Sequence, residues 1–431
     1  MEIQRDYYLE KLIGRKGNNL IKIVTGVRRC GKSYLLNTIF YRHLLESGIK
    51  KEHIIKFAFD SAEDLNLIGE DLIDIQLKKR KVDPKKFMKY VNSKIRNKKT
   101  YYLLLDEVQL LGAFETVLNG YLYRDNLDVF VTGSNAKFLS RDIVTEFAGR
   151  GDEIHMYPLN FSEFMSCYKG DKYDGLSQYM LYGGIPMVVL NKNEQDKVKT
   201  LQNLFSEIYI SDIIKRHNVR NKDVLEDLLN ILSSSVGSLT NPEKLKNTFQ
   251  SVEKKTVSAT TIKKYLDYFE DSFLIDSAMR YDVKGKSYIG TPVKYYFSDP
   301  GLRNVRINFR QFEPNHIMEN IIFNELKMRG FNVDIGVVTI MGKNAKGKAA
   351  RKHLEIDFIC NRGSNKYYIQ SAYYIPDAEK RKQETKPLAE IKDAFKKIIV
   401  TKDSITGYYD DMGIYTASIF DFLLDPSLIE R

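Results

Sequence analysis

The sequence predicts an α/β protein in which a parallel β-sheet with helices on both faces comes first and smaller mixed domains follow. Three observations support this fold class. Short apolar runs of strand length alternate with longer amphipathic runs over residues 1–158, as when helices connect buried parallel strands. A glycine-containing loop stands between the first such strand and the next helix. The length of 431 residues suffices for about three domains at roughly 150 residues each.

The composition narrows the classes of protein that fit the chain. With 43% hydrophobic and 29% charged residues, the chain can bury sizeable cores and is neither fibrous nor disordered. Lys and Arg total 67 against 56 Asp and Glu, a net charge of +11. A polyanionic partner such as DNA agrees with this charge, but charge alone does not identify the partner.

Two further classes are disfavoured by what the sequence lacks. Cys30, Cys167 and Cys360 are too few and too scattered for a disulfide framework or a cysteine-rich zinc site, and the six histidines show no metal-ligand spacing. Apolar runs fall far short of the ~20 residues that span a bilayer, and the N-terminus has no uninterrupted apolar segment of a signal peptide. We therefore expect a cytoplasmic protein with no membrane partner.

The elements of the first domain follow in order along residues 1–158. The run LIKIVTG reads as a buried strand, SYLLNTIFYRHLLESG as the helix after it, and HIIKFAFD as the second strand. After a charged helical region, YYLLLDEV and DVFVTGS read as two more strands. This succession predicts one α/β domain ending at Pro158.

Three further segments are predicted after the first domain. Residues 159–219 are helical and contain a break at Gly183–Pro186. Residues 220–305 have three helices and then a hairpin, the layout of a winged helix-turn-helix, with Ser258 as a helix N-cap and Lys284–Lys286 as the hairpin turn. Residues 306–431 read as a compact mixed α/β domain whose first helix ends at Gly330.

The loop after the first strand matches the P-loop pattern, and it lies between a strand and a helix as that motif requires. Its glycines allow backbone N–H groups to surround phosphate oxygens, and the helix N-terminus adds partial positive charge. Lys32 would reach the β- and γ-phosphates, and Ser33 would ligate Mg²⁺. The predicted ATP-binding residues are Gly26, Val27, Arg28, Arg29, Cys30, Gly31, Lys32, Ser33 and Tyr34.

Polar residues at the ends of later strands complete the predicted catalytic set. Asp106 would hold Mg²⁺ through its second coordination shell, and Glu107 would polarise the attacking water. Asn135 follows the next strand, at the expected level of a γ-phosphate, although loop hydrogen bonding is an equal alternative. Arg150 could serve the nucleotide of a neighbouring subunit or face solvent.

The set GVRRCGKS, LLLDE, VTGSN, AGR and YPLNFSEF resembles the AAA-type ATPases. More closely, the chain is similar to a prokaryotic family in which an AAA-like domain is joined to a C-terminal region of unassigned function. The runs YGGIP, KYYFSDPGLRN and MENIIFNEL continue the resemblance over nearly the whole chain. The resemblance implies an ATP- and Mg²⁺-dependent ATPase, possible homo-oligomers, and an arginine finger at Arg150.

The C-terminal half offers two further candidate sites. Lys263 and Lys264 on the recognition helix and Lys284 and Lys286 in the wing could bind DNA, although such lysines also occur on any solvated face and winged helices also bind proteins. The last domain resembles the restriction-endonuclease-like fold in a degenerate form. Its site would comprise Glu319, Glu355, Asp357 and Gln370.

In that fold an aspartate precedes a Glu-x-Lys run on the next strand, where carboxylates bind Mg²⁺ and the lysine stabilises charge. Here Gln370 and Ala372 replace the second acid and the lysine, so we expect a catalytically silent domain, with Lys366 as one position to which a lysine could be displaced. Three functions stay open: an ATPase acting on DNA, a nucleotide-dependent switch that recruits proteins, and an ATP-gated nuclease.

Overall fold

The computed structural model describes residues 3–133, 149–343, 348–403 and 405–431. The chain divides into two compact units, which are described separately here. The first comprises Met1–Tyr157 with Asp271–Phe273, and the second Pro158–Glu270 with Leu274–Arg431. The four sequence ranges given above stay a prediction, since a division into two units does not test their bounds.

The first unit contains a five-stranded sheet in the order β2-β3-β4-β1-β5, and every neighbouring pair is parallel. The predicted parallel sheet is therefore confirmed. Its elements are α1 (Asp6–Ile13), β1 (Ile21–Thr25), α2 (Lys32–Tyr34), α3 (Tyr41–Glu46), β2 (Ile54–Ala58), α4 (Ala62–Leu67), α5 (Leu72–Leu77), α6 (Pro84–Lys94), β3 (Tyr101–Asp106), α7 (Phe114–Tyr121), β4 (Leu127–Thr132) and β5 (Gly151–His155), with a π-helical stretch (Leu35–Phe40) joining α2 to α3.

The core of this unit explains why its strands read as continuous apolar runs. Leu103, Leu105 and Val131 are almost fully buried and share one cluster with Phe57 and Phe87. A parallel sheet buried on both faces requires apolar side chains at successive positions rather than at alternate ones. The carboxyl ends of its strands therefore present the polar residues of this sheet at one edge, where ligands of open α/β sheets bind.

Several helices of the second unit begin at side-chain caps that the sequence encodes locally. Asn160 and Glu163 form a reciprocal capping box at α8. The helices are α8 (Phe161–Cys167), α9 (Lys172–Tyr182), α10 (Pro186–Val189), α11 (Glu194–Asn203), α12 (Ser211–His217), α13 (Lys222–Ser234), α14 (Pro242–Thr248), α15 (Ala259–Asp271), α16 (Pro300–Arg306), α17 (Pro314–Met328), α18 (Ala378–Ala389) and α19 (Ile419–Leu424). The predicted cap of α15 is present, since Ser258 Oγ accepts from the Thr261 backbone N–H at 3.1 Å.

The second unit also holds an eight-stranded mixed sheet in the order β12-β13-β11-β10-β9-β8-β6-β7. Its strands are β6 (Ile275–Asp282), β7 (Ser287–Phe297), β8 (Asn332–Lys343), β9 (Ala349–Arg362), β10 (Asn365–Ala372), β11 (Lys396–Thr401), β12 (Tyr408–Tyr409) and β13 (Ile414–Ser418). The hairpin expected around the turn Lys284–Lys286 is formed by β6 and β7, which are antiparallel, and β6 also pairs in parallel with β8. The hairpin is thus the edge of a larger sheet.

A buried carboxyl group explains the glycines at the break between α9 and α10. Asp299 Oδ2 accepts the backbone N–H of Gly184 at 2.6 Å, and Oδ1 accepts that of Leu302 at 3.1 Å. A Cβ on Gly183 would lie 2.0 Å from Asp299 Oδ1, and one on Gly301 would lie 2.1 Å from a backbone oxygen. Only glycine leaves enough room for this close approach of two chain segments.

Candidate nucleotide-binding site

The P-loop follows β1 at the carboxyl edge of the sheet, and its backbone conformation requires glycine. Gly26 has φ 131°, and a Cβ there would lie 2.0 Å from the backbone oxygen of Met156. Gly31 has φ 105° immediately before α2. Both angles fall in the region that side-chain-bearing residues avoid, so these two glycines determine the course of the loop.

Lys32 lies inside the curve of this loop. Its side chain is buried, and Nζ donates to the backbone oxygens of Gly26 at 2.9 Å and Val27 at 3.0 Å. Val27 is buried, Arg28 is partly buried, Arg29 is exposed, and Tyr34 is 41% exposed. The ammonium is therefore held among loop atoms, where a phosphate oxygen could also reach it.

Asp106 is the centre of a hydrogen-bond cluster at the end of β3. Its Oδ1 accepts from Ser33 Oγ at 3.1 Å and from Thr132 Oγ1, and its Oδ2 accepts from Asn37 Nδ2 at 3.3 Å. Burial raises the pKa of Asp106, while the hydroxyls of Thr132 and Ser33 counteract that rise. The structure thus joins the end of the P-loop to β3 through the two predicted Mg²⁺ residues.

Glu107 has a strained backbone next to this cluster. Its φ is 51°, in the left-handed region, and its N–H donates to Thr132 Oγ1 at 3.1 Å. Its carboxylate Oε2 accepts from the Nε2 of Gln109. The backbone turn therefore separates the directions of two successive acidic side chains, one bound to Ser33 and the other to Gln109.

A third acidic residue lies near the pair. Asp60 follows β2 by two residues, and Ala58 of β2 pairs with Asp106 of β3. Burial, together with the charges of Asp106 and Glu107, raises the pKa of Asp60, and the charge of Arg29 opposes this rise. Asp60 therefore belongs to the electrostatic environment of the site, although it is part of no sequence motif.

Arg5, which precedes α1, forms hydrogen bonds that link the P-loop to another part of the chain. The buried guanidinium of Arg5 donates to the backbone oxygen of Cys30 at 3.3 Å and to that of Tyr157 at 2.6 Å. Cys30 is itself buried, with Sγ 3.4 Å from the Met156 oxygen. The N-terminal segment thus ties the P-loop to the chain that follows β5.

Arg150 lies at the opposite edge of the sheet from this P-loop. Ile21, the first residue of β1, pairs in parallel with Gly151, so Arg150 lies beside the start of β1. The P-loop follows the other end of this five-residue strand, about 16 Å away. Its guanidinium is exposed and lies over the ring of Tyr123. The structure does not bring Arg150 to the nucleotide site of its own chain. Asn135 lies outside the described residues.

The lysines proposed for DNA binding differ in their surroundings. Lys263 and Lys264 are exposed on α15. In the hairpin turn, Lys284 and Lys286 are exposed, and Lys284 Nζ forms a 3.5 Å ion pair with Glu390. The Lys284 charge is therefore partly compensated within the protein.

The four residues predicted for a nuclease-like site lie close together in the second unit, and three of them surround Lys294, which was not among the predicted site residues. Lys294 Nζ on β7 lies 2.9 Å from Glu319 Oε1 on α17, 2.8 Å from Glu355 Oε1 and 3.9 Å from Asp357 Oδ1, both on β9. Gln370 Oε1 accepts from the Asp357 backbone N–H at 3.4 Å. Within the described ranges, no group of three or more His, Cys, Asp or Glu side chains has the arrangement of a metal site.

Some of the missed residues had a signal in the sequence. Asn37 is four residues after Ser33, so the two share one face of a helical segment. Thr132 ends β4 and Asp60 comes two residues after β2. Asp106 was identified by the same feature, a polar residue at the end of a strand. Lys294 had no such signal, since it lies on a strand assigned to a different predicted domain.

Comparison with known proteins identifies the first domain. Residues 18–165 match the family model described as an AAA domain, and residues 173–313 match a domain of unknown function (DUF8612). An uncharacterized protein of Haemophilus influenzae is 36% identical over 432 residues, covering 98% of each chain. The chain belongs to the same family as that protein. Its P-loop domain is an AAA domain.

More distant matches add little to this assignment. An uncharacterized protein of Methanocaldococcus jannaschii is 28% identical over 381 residues, covering 85% of this chain and 77% of its own. The ORC1 protein of Aeropyrum pernix, solved in complex with DNA, is 10% identical with a TM-score of 0.31, covering 71% of this chain and 92% of its own. That TM-score is too low to carry an argument. No helix among the described residues is long and apolar enough to cross a membrane.

Proposed function

We propose that the AAA domain binds MgATP and hydrolyses it to ADP and phosphate. The observation that carries this proposal is the 3.1 Å hydrogen bond between Ser33 Oγ and Asp106 Oδ1. It brings the end of the P-loop and the end of β3 together, with Glu107 as the next residue. A phosphate-binding loop, a pair of metal-binding oxygens and a base are then adjacent, as phosphoryl transfer to water requires.

The residues present fit the triphosphate and its metal ion. The chain needs glycine at Gly26 because of the Met156 oxygen, and the same lack of a side chain leaves backbone N–H groups accessible to phosphate. Lys32 supplies a positive charge, and the oxygens of Ser33 and Asp106 are ligands of the type Mg²⁺ prefers. Mg²⁺, when bound there, would neutralise part of the phosphate charge.

Glu107 is the base in this proposal. It is the residue next to Asp106, which is itself engaged with Ser33 and Asn37, and its carboxylate would accept a proton from water. Gln109 donates to Glu107 Oε2 and thereby orients the carboxylate.

Two substitutions test the proposal separately for binding and for chemistry. Lys32→Ala should abolish ATP binding measured by calorimetry, because it removes the charge inside the loop. Glu107→Gln should retain ATP affinity and lower kcat by about 10²–10⁴-fold, because only the base is lost. The exposed Glu63→Gln on α4 is the matched control and should keep full activity. Absence of nucleotide binding by the wild-type protein would refute the proposal.

DNA is the partner we propose for the second unit, with a protein partner as the alternative. Exposed Lys263 and Lys264 on α15 and the net charge of +11 support DNA. The ion pair of Lys284 with Glu390 makes the hairpin turn a weaker candidate than α15. ATP turnover should rise when duplex or single-stranded DNA is added, whereas unchanged turnover would favour the protein-recruiting switch.

A homo-oligomer is part of this proposal through Arg150. Because Arg150 lies at the edge of the sheet away from its own P-loop, it could act on a nucleotide only from a neighbouring copy.

Cytoplasmic localisation also stays a proposal.

We further propose that the nuclease-like site is catalytically silent. Gln370 cannot supply the negative charge of an acid, and its side-chain amide is already engaged, with Nε2 donating to Glu384 at 3.0 Å. Incubation of the protein with plasmid and linear DNA in Mg²⁺ or Mn²⁺ tests this. Cleavage that disappears in Asp357→Ala would make the protein an ATP-gated nuclease instead.

A further inference from the structure

The nuclease-like site contains a buried positive charge of its own. The Lys294 side chain is 5% exposed, and those of Glu319, Asp357 and Glu355 are 10%, 11% and 36% exposed. Four ionisable groups from β7, α17 and β9 thus converge in one partly water-excluded cluster. Buried charges are tolerated when they are paired and hydrogen-bonded.

The distances around Lys294 are those of an ammonium group. Its Nζ lies 2.9 Å from Glu319 Oε1 and 2.8 Å from Glu355 Oε1, the range of charge-assisted N–H···O bonds. Mg²⁺ would require oxygens at about 2.0–2.1 Å and Ca²⁺ at about 2.3–2.6 Å. The carboxylates of Glu319 and Glu355 therefore hold a nitrogen donor at hydrogen-bond distance.

The remaining polar groups of the cluster are also directed at the carboxylates. Tyr296 OH donates to Glu319 Oε1 at 2.7 Å, and the Ser371 backbone N–H donates to Asp357 Oδ2 at 2.8 Å. These donors and Lys294 occupy carboxylate oxygens that a metal ion would otherwise use. A divalent ion could bind only if some of these hydrogen bonds were broken.

The electrostatics agree with a permanently charged lysine. Burial by itself would lower the pKa of Lys294, but the carboxylates of Glu319, Asp357 and Glu355 together raise it above its ordinary value. Burial and the Glu319 charge raise the pKa of Asp357, against the opposing effect of Lys294. The lysine is thus the charge that the carboxylates stabilise.

We propose that Lys294 is the resident cation of this carboxylate site, so that the wild-type site excludes divalent metal ions and becomes a Mn²⁺- or Mg²⁺-binding site only when the lysine is removed. The hairpin strand β7 then contributes an internal counter-ion that ties it to α17 and β9. The inference is independent of ATP hydrolysis, because every residue in it belongs to the second unit.

Mn²⁺ binding to the full-length protein tests this proposal. An Asp106→Asn background removes the proposed metal residue of the P-loop, and binding is measured by electron paramagnetic resonance without nucleotide. With Lys294 intact we expect no saturable Mn²⁺ binding. Lys294→Ala should bind one Mn²⁺ per chain in a saturable way, since an excess of carboxylates is left without its counter-charge.

Two variants serve as controls. Lys284→Ala removes an exposed lysine from the same hairpin and should leave Mn²⁺ binding unchanged. Glu319→Gln added to Lys294→Ala should abolish the new binding. Mn²⁺ binding by the Lys294-containing protein that is lost on Glu319→Gln would overturn the proposal, as would a folded Lys294→Ala protein that binds none. If Lys294→Ala does not fold, titration of the Lys294-containing protein decides alone, and absence of binding supports the proposal.

Discussion

Replacing Asp299 by asparagine should change how the stability of the second unit depends on pH. Burial raises the pKa of Asp299 from 3.8 to about 6, although backbone N–H groups of Gly184, Leu302 and Gly301 oppose the rise. The folded state therefore holds a proton on this group more tightly than the unfolded state. The Asp299 carboxyl group therefore makes its full contribution to stability below pH 4, and this contribution is lost as the pH rises through 6.

The size of the effect follows from the two pKa values. A difference of about two in pKa, at about 1.4 kcal/mol for each unit, corresponds to about 3 kcal/mol between pH 4 and pH 7. Asparagine does not titrate, and it has one acceptor oxygen where the aspartate has two. Either the Gly184 N–H, which bonds to Oδ2, or the Leu302 N–H, which bonds to Oδ1, is then left unsatisfied at a cost of about 1–3 kcal/mol. The variant should thus be less stable than wild type near pH 4 and about equal to it above pH 7.

Urea unfolding of both proteins between pH 4 and pH 8 measures this difference. Asp171→Asn is the control, because Asp171 is an exposed N-cap of α9 and asparagine caps helices equally well. The free energy of unfolding of the Asp171→Asn protein should parallel that of wild type at every pH. A wild-type minus Asp299→Asn difference that is constant, or that grows with pH, would refute the reasoning.

Three further predictions concern nucleotide and DNA. Arg5→Met should weaken MgATP binding about tenfold in calorimetry, because the P-loop loses a charged hydrogen bond worth about 1.5 kcal/mol or more. An unchanged Kd would show that Arg5 does not help the P-loop to bind nucleotide. Specific ATPase activity should rise with protein concentration and fall in Arg150→Ala, since the arginine would act between copies; activity per chain that stays constant through monomeric concentrations contradicts this. Lys263→Ala with Lys264→Ala should reduce the slope of log DNA affinity against log salt by about 2, and a double variant with the wild-type slope would show that α15 does not bind phosphate.

Much of the nucleotide site could be predicted because its chemistry is local in sequence. The P-loop is one continuous segment, and the two glycines that shape it, Gly26 and Gly31, are part of the motif itself. Asp106 and Glu107 were found because polar residues that end a buried strand in a parallel sheet must emerge at its carboxyl edge. The parallel sheet could likewise be predicted, because its strands are short apolar runs separated by helices, and the structure confirms it. What remained hidden was the orientation of Glu107, since a left-handed turn at a glutamate has no sequence signature.

The charge cluster of the second unit shows the opposite case. Lys294 is 25 residues from Glu319 and is assigned by pattern to a DNA-binding hairpin. Sequence reasoning considered Lys366 as the displaced lysine, but that ammonium lies over the ring of Phe395. β6 of the hairpin pairs with β8, and β8 pairs with β9, so the hairpin and the strand of Glu355 and Asp357 join one sheet through contacts between distant segments.

Elements and motifs that depend on neighbouring residues can be predicted from the sequence: the buried strands, the capped helices, the glycine-dependent P-loop and the acidic pair that ends β3. The tertiary fold sets which distant groups meet: the Asp299 carboxyl with the Gly184 backbone N–H, and the Lys294 ammonium with three carboxylates. The physical reason is that backbone preference and hydrophobic period act over a few residues. A buried charge is positioned by the partners that compensate it, wherever in the chain they occur.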